Sequence, residues 1–337
     1  MRPFSYARAR TVDEAAGQGA ATGTAFLAGG TTLVDLMKYD VARPARLVDI
    51  NPLPLSAIED CGDGGLRLGA LATNADTAYD PRVGERYPLL SNAILAGASA
   101  QLRNAATNGG NLNQRTRCLY FYDAAAPCNK RVPGTGCGAI GGVNRVCAIL
   151  GTSSQCIATH PSDMCVALRA LDAEVRVTGP DGERVIPFAG YHRLPGDEPW
   201  RDNTLRSGEL VTAIDLPAER FDRHWTYLKM RDRQSYAFAL VSAAVAMRLE
   251  GDVVTDVRVA LGGVSHVPWR RRDAELLLVG RPPSAALFAT VAEALLEGAK
   301  GHGGNDVKVA LAPRVVIRAL TQAAAGTPQP LADKRIA

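Results

Sequence analysis

Six of the seven cysteines in this 337-residue chain fall between Cys118 and Cys165. They stand at Cys118, Cys128, Cys137, Cys147, Cys156 and Cys165, in the spacing C-x9-C-x8-C-x9-C-x8-C-x8-C. Thiolates are soft ligands, equally suited by type to zinc or to an iron–sulfur cluster. No C-x2-C pair occurs, so neither a zinc ribbon nor the bacterial ferredoxin run is present. Disulfides and buried free thiols are the other uses of such cysteines. A metal site accounts for one thing more. Residues 113–157 carry Gly, Pro, Cys and Arg with little apolar periodicity, and a loop of that length needs something other than apolar burial to order it.

The six candidates can be sorted by context. Cys165 lies in the apolar run Met164-Cys165-Val166-Ala167-Leu168 and reads as a packed core residue. Cys118, Cys128 and Cys137 sit in loop contexts, whereas Cys147 has apolar neighbours. Cys156 precedes Ile157-Ala158-Thr159, a strand that would anchor the loop back onto its domain. The expected ligands are Cys118, Cys128, Cys137 and Cys156, with Cys147 in reserve for the fourth position. Arg115, Arg117, Lys130, Arg131 and Arg145 either offset the negative charge of a cluster or solvate the loop.

Two glycine turns precede this region. In Leu27-Ala28-Gly29-Gly30-Thr31-Thr32-Leu33 a strand passes through two glycines into a helix, so backbone N–H groups converge at a positive helix end suited to pyrophosphate. The pattern is neither G-x-G-x-x-G nor G-x-x-x-x-G-K-[ST]. The second turn, Thr107-Asn108-Gly109-Gly110-Asn111, is expected to offer free amides, a hydroxyl and two carboxamides, all neutral partners for a phosphate or sugar. Together the two turns point to a dinucleotide. The five histidines lack metal-ligand spacing, and neither H-E-x-x-H nor G-x-S-x-G occurs, so a hydrolase finds no support.

Short α/β units position these turns. Strands are expected near 4–9, 25–28, 46–50 and 65–71, with a capping box at Thr11-Val12-Asp13-Glu14 and one helix over 87–100. Ser162-Asp163-Met164 starts a helix through Leu171, and Gly179-Pro180-Asp181-Gly182 turns a hairpin. Beyond Leu216-Pro217 come three antiparallel strands at 225–230, 238–249 and 253–261. Helices follow at 273–279, 284–299 and about 313–325, with a frayed Ala-rich end. A net charge of +4 is too small and dispersed to argue for nucleic acid. Met1 to Tyr6 run into polar sequence without an apolar leader, so the expected compartment is the cytoplasm, or the periplasm by co-export with a signal-bearing partner.

At these residues the chain resembles the FAD-binding medium subunits of the molybdenum hydroxylases, the xanthine dehydrogenase and carbon monoxide dehydrogenase family. Ala28-Gly29-Gly30-Thr31-Thr32-Leu33 resembles the family's first FAD loop, and Thr107-Asn108-Gly109-Gly110-Asn111-Leu112 the second. Ser162-Asp163-Met164 resembles its Ser-Asp-Leu helix, and the likeness continues through Leu228-Lys229-Met230-Arg231 and Leu261-Gly262-Gly263-Val264. Most members lack the cysteine segment. Its presence makes the chain most similar to the flavin subunit of periplasmic aldehyde oxidoreductase, then to the beta subunit of 4-hydroxybenzoyl-CoA reductase, both with an extra [4Fe-4S] cluster in this loop. That comparison favours Cys156 over Cys147.

The resemblance implies an α+β fold: a two-lobed FAD-binding domain of the vanillyl-alcohol-oxidase kind over 1–220, with an iron–sulfur insertion at 113–157. A small antiparallel sheet with helices over 221–328 and a tail at 329–337 complete it. It further implies a heterotrimer in which a large molybdopterin subunit oxidises an aldehyde and a small subunit with two [2Fe-2S] clusters relays electrons to FAD here. Leu27, Ala28, Gly29, Gly30, Thr31, Thr32 and Leu33 would hold the pyrophosphate side. Thr107, Gly110 and Asn111 would form the second loop, Asp163 the ribose or adenine side, and Lys229 the flavin region. A structural zinc module that docks partner chains is the rival from another class.

Overall fold

The computed structural model describes residues 1–218 and 221–326. The expected tail at 329–337 lies outside the described residues. The chain begins with β1 (Ser5–Arg8), α1 (Val12–Gly19), β2 (Thr24–Leu27), α2 (Leu33–Lys38) and β3 (Arg46–Asp49). The Thr11 hydroxyl accepts the Glu14 amide, and the Glu14 carboxylate accepts the amide of Arg10, one residue before the cap. The three strands are parallel, in the order β1-β3-β2. The Gly29-Gly30 turn therefore leaves the carboxyl edge of the sheet, the edge at which open α/β sheets hold ligands.

The second lobe carries β4 (Ile58–Asp60), β5 (Leu66–Gly69), α3 (Asn74–Tyr79), α4 (Pro81–Arg86), α5 (Pro88–Ala96), α6 (Ala100–Arg103), α7 (Asn108–Leu112) and α8 (Leu119–Tyr122). It continues through α9 (Asp163–Ala170), β6 (Glu174–Gly179), β7 (Gly182–Pro187) and β8 (Leu210–Leu216). The five strands form an antiparallel sheet in the order β4-β5-β8-β6-β7. One expectation fails: the single helix over 87–100 is broken between α5 and α6 by extended Gly97 and by Ala98 at φ 51°. The reason is a close approach, since a Cβ on Gly97 would lie 3.1 Å from Asp163 Oδ2.

The C-terminal unit pairs β9 (His224–Met230), β10 (Val241–Glu250) and β11 (Val253–Gly262) antiparallel, in the order β11-β10-β9, backed by α10 (Arg272–Leu276), α11 (Ala285–Leu295) and α12 (Val307–Ala324). The strand expected from Phe238 begins only at Val241, because 231–240 loop over the cleft described below. The helix expected from about Pro313 starts at Val307 and contains that proline. The N–H that Pro313 lacks would have bonded the carbonyl of exposed Val309, which solvent can satisfy. Helix α9 is buried along nearly its whole length, and its Met164, Cys165, Val166 and Leu168 share one core with Tyr227, Ala244 and Ala260 of the C-terminal sheet. Among the described residues no helix is long and apolar enough to cross a membrane.

Candidate cofactor cleft and cysteine pocket

A cavity of about 680 Å³ opens where the first glycine turn, α7, the start of α9 and the β9–β10 loop meet. Its volume falls in the range of cofactor sites. Of the residues singled out in sequence, Thr31, Thr32, Gly110, Asn111, Asp163 and Lys229 line it. Leu27, Ala28, Gly29, Gly30, Leu33 and Thr107 stand behind them as supports. Leu27 O accepts the Ile50 amide at 3.0 Å, and Ala28 O accepts the Asn51 side chain at 3.2 Å.

The two turns differ in what they leave free. Among the described residues, the amides of Gly30, Thr31 and Thr32 have no protein acceptor, and Gly30 has φ 71°. Gly29 is pressed onto the segment before α7, where a Cβ would lie 1.8 Å from Ala105 O. The second turn does not offer the free amides expected of it. It is itself a helical turn laid on residues 69–72, so Asn108 and Gly109 donate to Ala72 O and Ala70 O, and Gly110 donates to Thr107 Oγ1 at 3.2 Å. Side chains face the cleft instead. Asn111 donates to Asn74 Oδ1 and accepts from Ser162 Oγ, each at 2.6 Å.

Asp163 and Lys229, assigned in sequence to different parts of a cofactor, form one ion pair. Lys229 Nζ donates to Asp163 Oδ2 at 2.8 Å and to Ala96 O at 3.1 Å, and the Tyr227 hydroxyl donates to Asp163 Oδ1 at 2.5 Å. Burial first, and the carboxylate second, push the Tyr227 hydroxyl well above the ordinary tyrosine range. The pair clasps α9 to the C-terminal sheet at the cleft wall, so both residues face the same part of any occupant.

A second, small cavity is lined by Cys118, Cys128, Cys137 and Cys156 together with Lys130. Cys118 caps the single turn α8, and Cys128 and Cys137 face each other across a two-stranded bridge closed by Asn129 N–H to Gly136 O and Gly138 N–H to Pro127 O. Cys156 returns the loop to the domain, where Ala148 N–H donates to Ile157 O at 2.7 Å. All seven cysteines are free thiols. Cys165 is fully buried in the core, as its context predicted, and Cys147 is buried beside the pocket without lining it. The small apolar cluster here consists largely of these thiols with Leu36, Phe121 and Ile157, so sulfur stands where a hydrophobic core would be.

Among the described residues, no three of these sulfurs lie within 4.8 Å of one another. A single zinc with bonds near 2.3 Å would draw them to roughly 3.8 Å apart. Four thiols lining one small pocket are donors of the kind that zinc or an iron–sulfur cluster takes. A hydrogen bond from Cys147 pushes the Cys118 thiol down to about 6, helped by the amides of Phe121 and Tyr120 and by Lys130, against burial. That bond and burial push Cys147 the other way. Burial raises Cys128, and it takes Cys156 up to about 12 despite Lys130. Of the five cations noted in sequence, only Lys130 lines the pocket. Arg117 faces the larger cleft, Arg131 holds the carbonyls of Tyr120 and Phe121, and Arg145 pairs with Asp232 at the surface.

His160, Cys165 and His192 also bring ligand atoms within 4.8 Å of one another. The outer ring nitrogens, His160 Nε2 and His192 Nδ1, are buried with no hydrogen-bond partner among the described residues. His160 Nδ1 accepts the Ser162 amide, which leaves the ring proton on Nε2, and His192 Nε2 donates to Leu112 O at 3.0 Å. Burial holds both imidazoles below their ordinary range. The sequence reading missed Asn74, Gln114, Tyr236 and Phe238 at the cleft. The signal for the last two was two aromatics just after the polar run Arg231-Asp232-Arg233-Gln234-Ser235. Tyr236 takes φ 50°, and Phe238 lies under the Arg117 guanidinium at 5.2 Å.

Residues 2–219 match the FAD binding domain in molybdopterin dehydrogenase, and residues 225–323 match the CO dehydrogenase flavoprotein C-terminal domain. The chain belongs to the family of FAD-binding medium subunits of molybdenum hydroxylases, which are subunits of oxidoreductases. Within that family it is 47% identical over 329 residues to the aldehyde oxidoreductase FAD-binding subunit PaoB of Escherichia coli K12, covering 96% of this chain and 99% of that one. It is 28% identical over 304 residues to the carbon monoxide dehydrogenase medium chain of Hydrogenophaga pseudoflava, covering 88% of each. A solved structure of carbon monoxide dehydrogenase from that organism superposes with a TM-score of 0.75 at 27% identity, over 96% of this chain and 99% of that one.

Proposed function

We propose that this chain is the FAD- and [4Fe-4S]-carrying electron-transfer subunit of a molybdenum-dependent aldehyde oxidoreductase. In this reading it works beside a large molybdopterin-binding subunit and a small [2Fe-2S] subunit. The observation that carries the reading is the convergence of Cys118, Cys128, Cys137 and Cys156 on one pocket. Similarity to an aldehyde oxidoreductase subunit over nearly the whole chain supports the substrate class.

When bound, FAD supplies two-electron and one-electron redox chemistry, and an iron–sulfur cluster supplies one-electron exchange. The protein's part is positioning. The unpaired amides of Gly30, Thr31 and Thr32 offer neutral donors to a pyrophosphate, and Gly29 allows the turn to sit against Ala105. Asn111, held between Asn74 and Ser162, presents a fixed carboxamide edge. The Asp163–Lys229 pair keeps a charged wall in place at the domain junction. The hydrogen bond from Cys147 lowers the Cys118 thiol below its ordinary range, which favours the thiolate that a soft metal takes.

The test is Cys128→Ser in the complex co-produced with its partner subunits. The expected result is loss of about four irons per complex with FAD retained. Unchanged iron content overturns the coordination.

A further inference from the structure

Lys130 is a buried cation in the wall of the cysteine pocket. Its side chain is 1% exposed, it lines the cavity among the four thiols, and its ammonium donates to Pro199 O at 2.7 Å and to Asp202. Asp202 is held from its other side by Arg115 Nε at 2.7 Å. Burial pushes the Asp202 carboxyl up, but Lys130 and Arg115 outweigh it and hold the group below the usual carboxylate range. A fixed charge this well buried is poorly screened by salt, and Lys130 does not line the larger cleft.

We propose that the Lys130–Asp202 pair sets the reduction potential of the cluster held by the four cysteines, and so how one electron divides between that cluster and the flavin. The inference rests on the iron–sulfur reading above. An electron taken up by a cluster held there would add one negative charge among its thiolate ligands. Lys130 offsets that charge, and Asp202 attenuates Lys130. Net charge and hydrogen bonding around the sulfurs are the protein's means of tuning such a couple. Lys130 and Asp202 must therefore act with opposite sign, which a merely structural pair would not do.

The experiment is a redox titration of the intact complex followed by low-temperature EPR, using the signal that Cys128→Ser abolishes. Lys130→Met is expected to lower the midpoint potential, disfavouring the reduced cluster about tenfold, or 59 mV for a one-electron couple. Asp202→Asn is expected to raise it, and Lys130→Arg to leave it near the wild-type value. If the signal is present and both substitutions shift it the same way, or neither shifts it, the pair does not tune the cluster while the iron–sulfur reading stands. If the wild-type complex has no such signal, both fall together. Should Lys130→Met fail to accumulate, the sign of the Asp202→Asn shift decides, and a fall or no change overturns the proposal.

Discussion

Lys229 Nζ lies 2.8 Å from Asp163 Oδ2, with both side chains almost wholly buried, and this pair joins β9 of the C-terminal unit to the first turn of α9. Removing one member of a buried ion pair strands the other without compensation, at a cost of about 3–5 kcal/mol. Lys229→Met should therefore lower the thermal midpoint and the FAD content together. Asp163→Asn, which leaves Tyr227 and Lys229 a neutral acceptor, should cost less. Equal losses in the two variants would show that the charge of Lys229 is not what closes the junction.

Gly29 offers a sharper steric test. A Cβ there meets Ala105 O at 1.8 Å, a backbone atom that cannot rotate away, so Gly29→Ala must push the turn off the α7 lobe. The expected cost is on the order of 1–3 kcal/mol or more, with FAD occupancy falling further than stability. Gly62→Ala is the control, since nothing lies within 4 Å of its added Cβ. Full flavin occupancy in Gly29→Ala would mean that the close approach is not needed for binding.

Much of this architecture is legible in the chain because local chemistry dictates it. Thr11 and Ser162 cap their helices as their positions promise, and the β6–β7 and β10–β11 hairpins turn at their glycines. The core placement of Cys165 was legible too, since it stands in the apolar helical run Met164-Cys165-Val166-Ala167-Leu168. What sequence hides is tertiary in origin. The break at Gly97 answers to Asp163, and the amides of the second turn are taken by Ala70 and Ala72, partners remote in the chain. Lys130 looks like one loop cation among five until Pro199 and Asp202 close over it.

Cys147 tests the ligand set. It is buried beside Cys118 but outside the pocket, and Lys308 and Asn305 hold its carbonyl at 2.9 and 3.3 Å from the C-terminal unit. Cys147→Ala should keep the full iron content of the purified complex, because Cys147 does not line the pocket. Loss of iron in this variant would move the fourth ligand from Cys156 to Cys147.

The buried histidines set the acid limit of the fold. Burial takes His192 and His266 down to about 4, against an ordinary value near 6.5. Between those values the unfolded chain binds protons that the folded chain refuses, so stability falls as pH drops through 6.5 and the loss is complete below 4. Each imidazole accounts for roughly 3 kcal/mol at full effect. Urea midpoints of the chain at pH 7, 5.5 and 4.5 should show this decline. His192→Gln, which keeps a donor for Leu112 O without a titrating ring, should make it shallower, with His266 left to titrate. An unchanged slope in that variant would mean that His192 enters the folded state already charged.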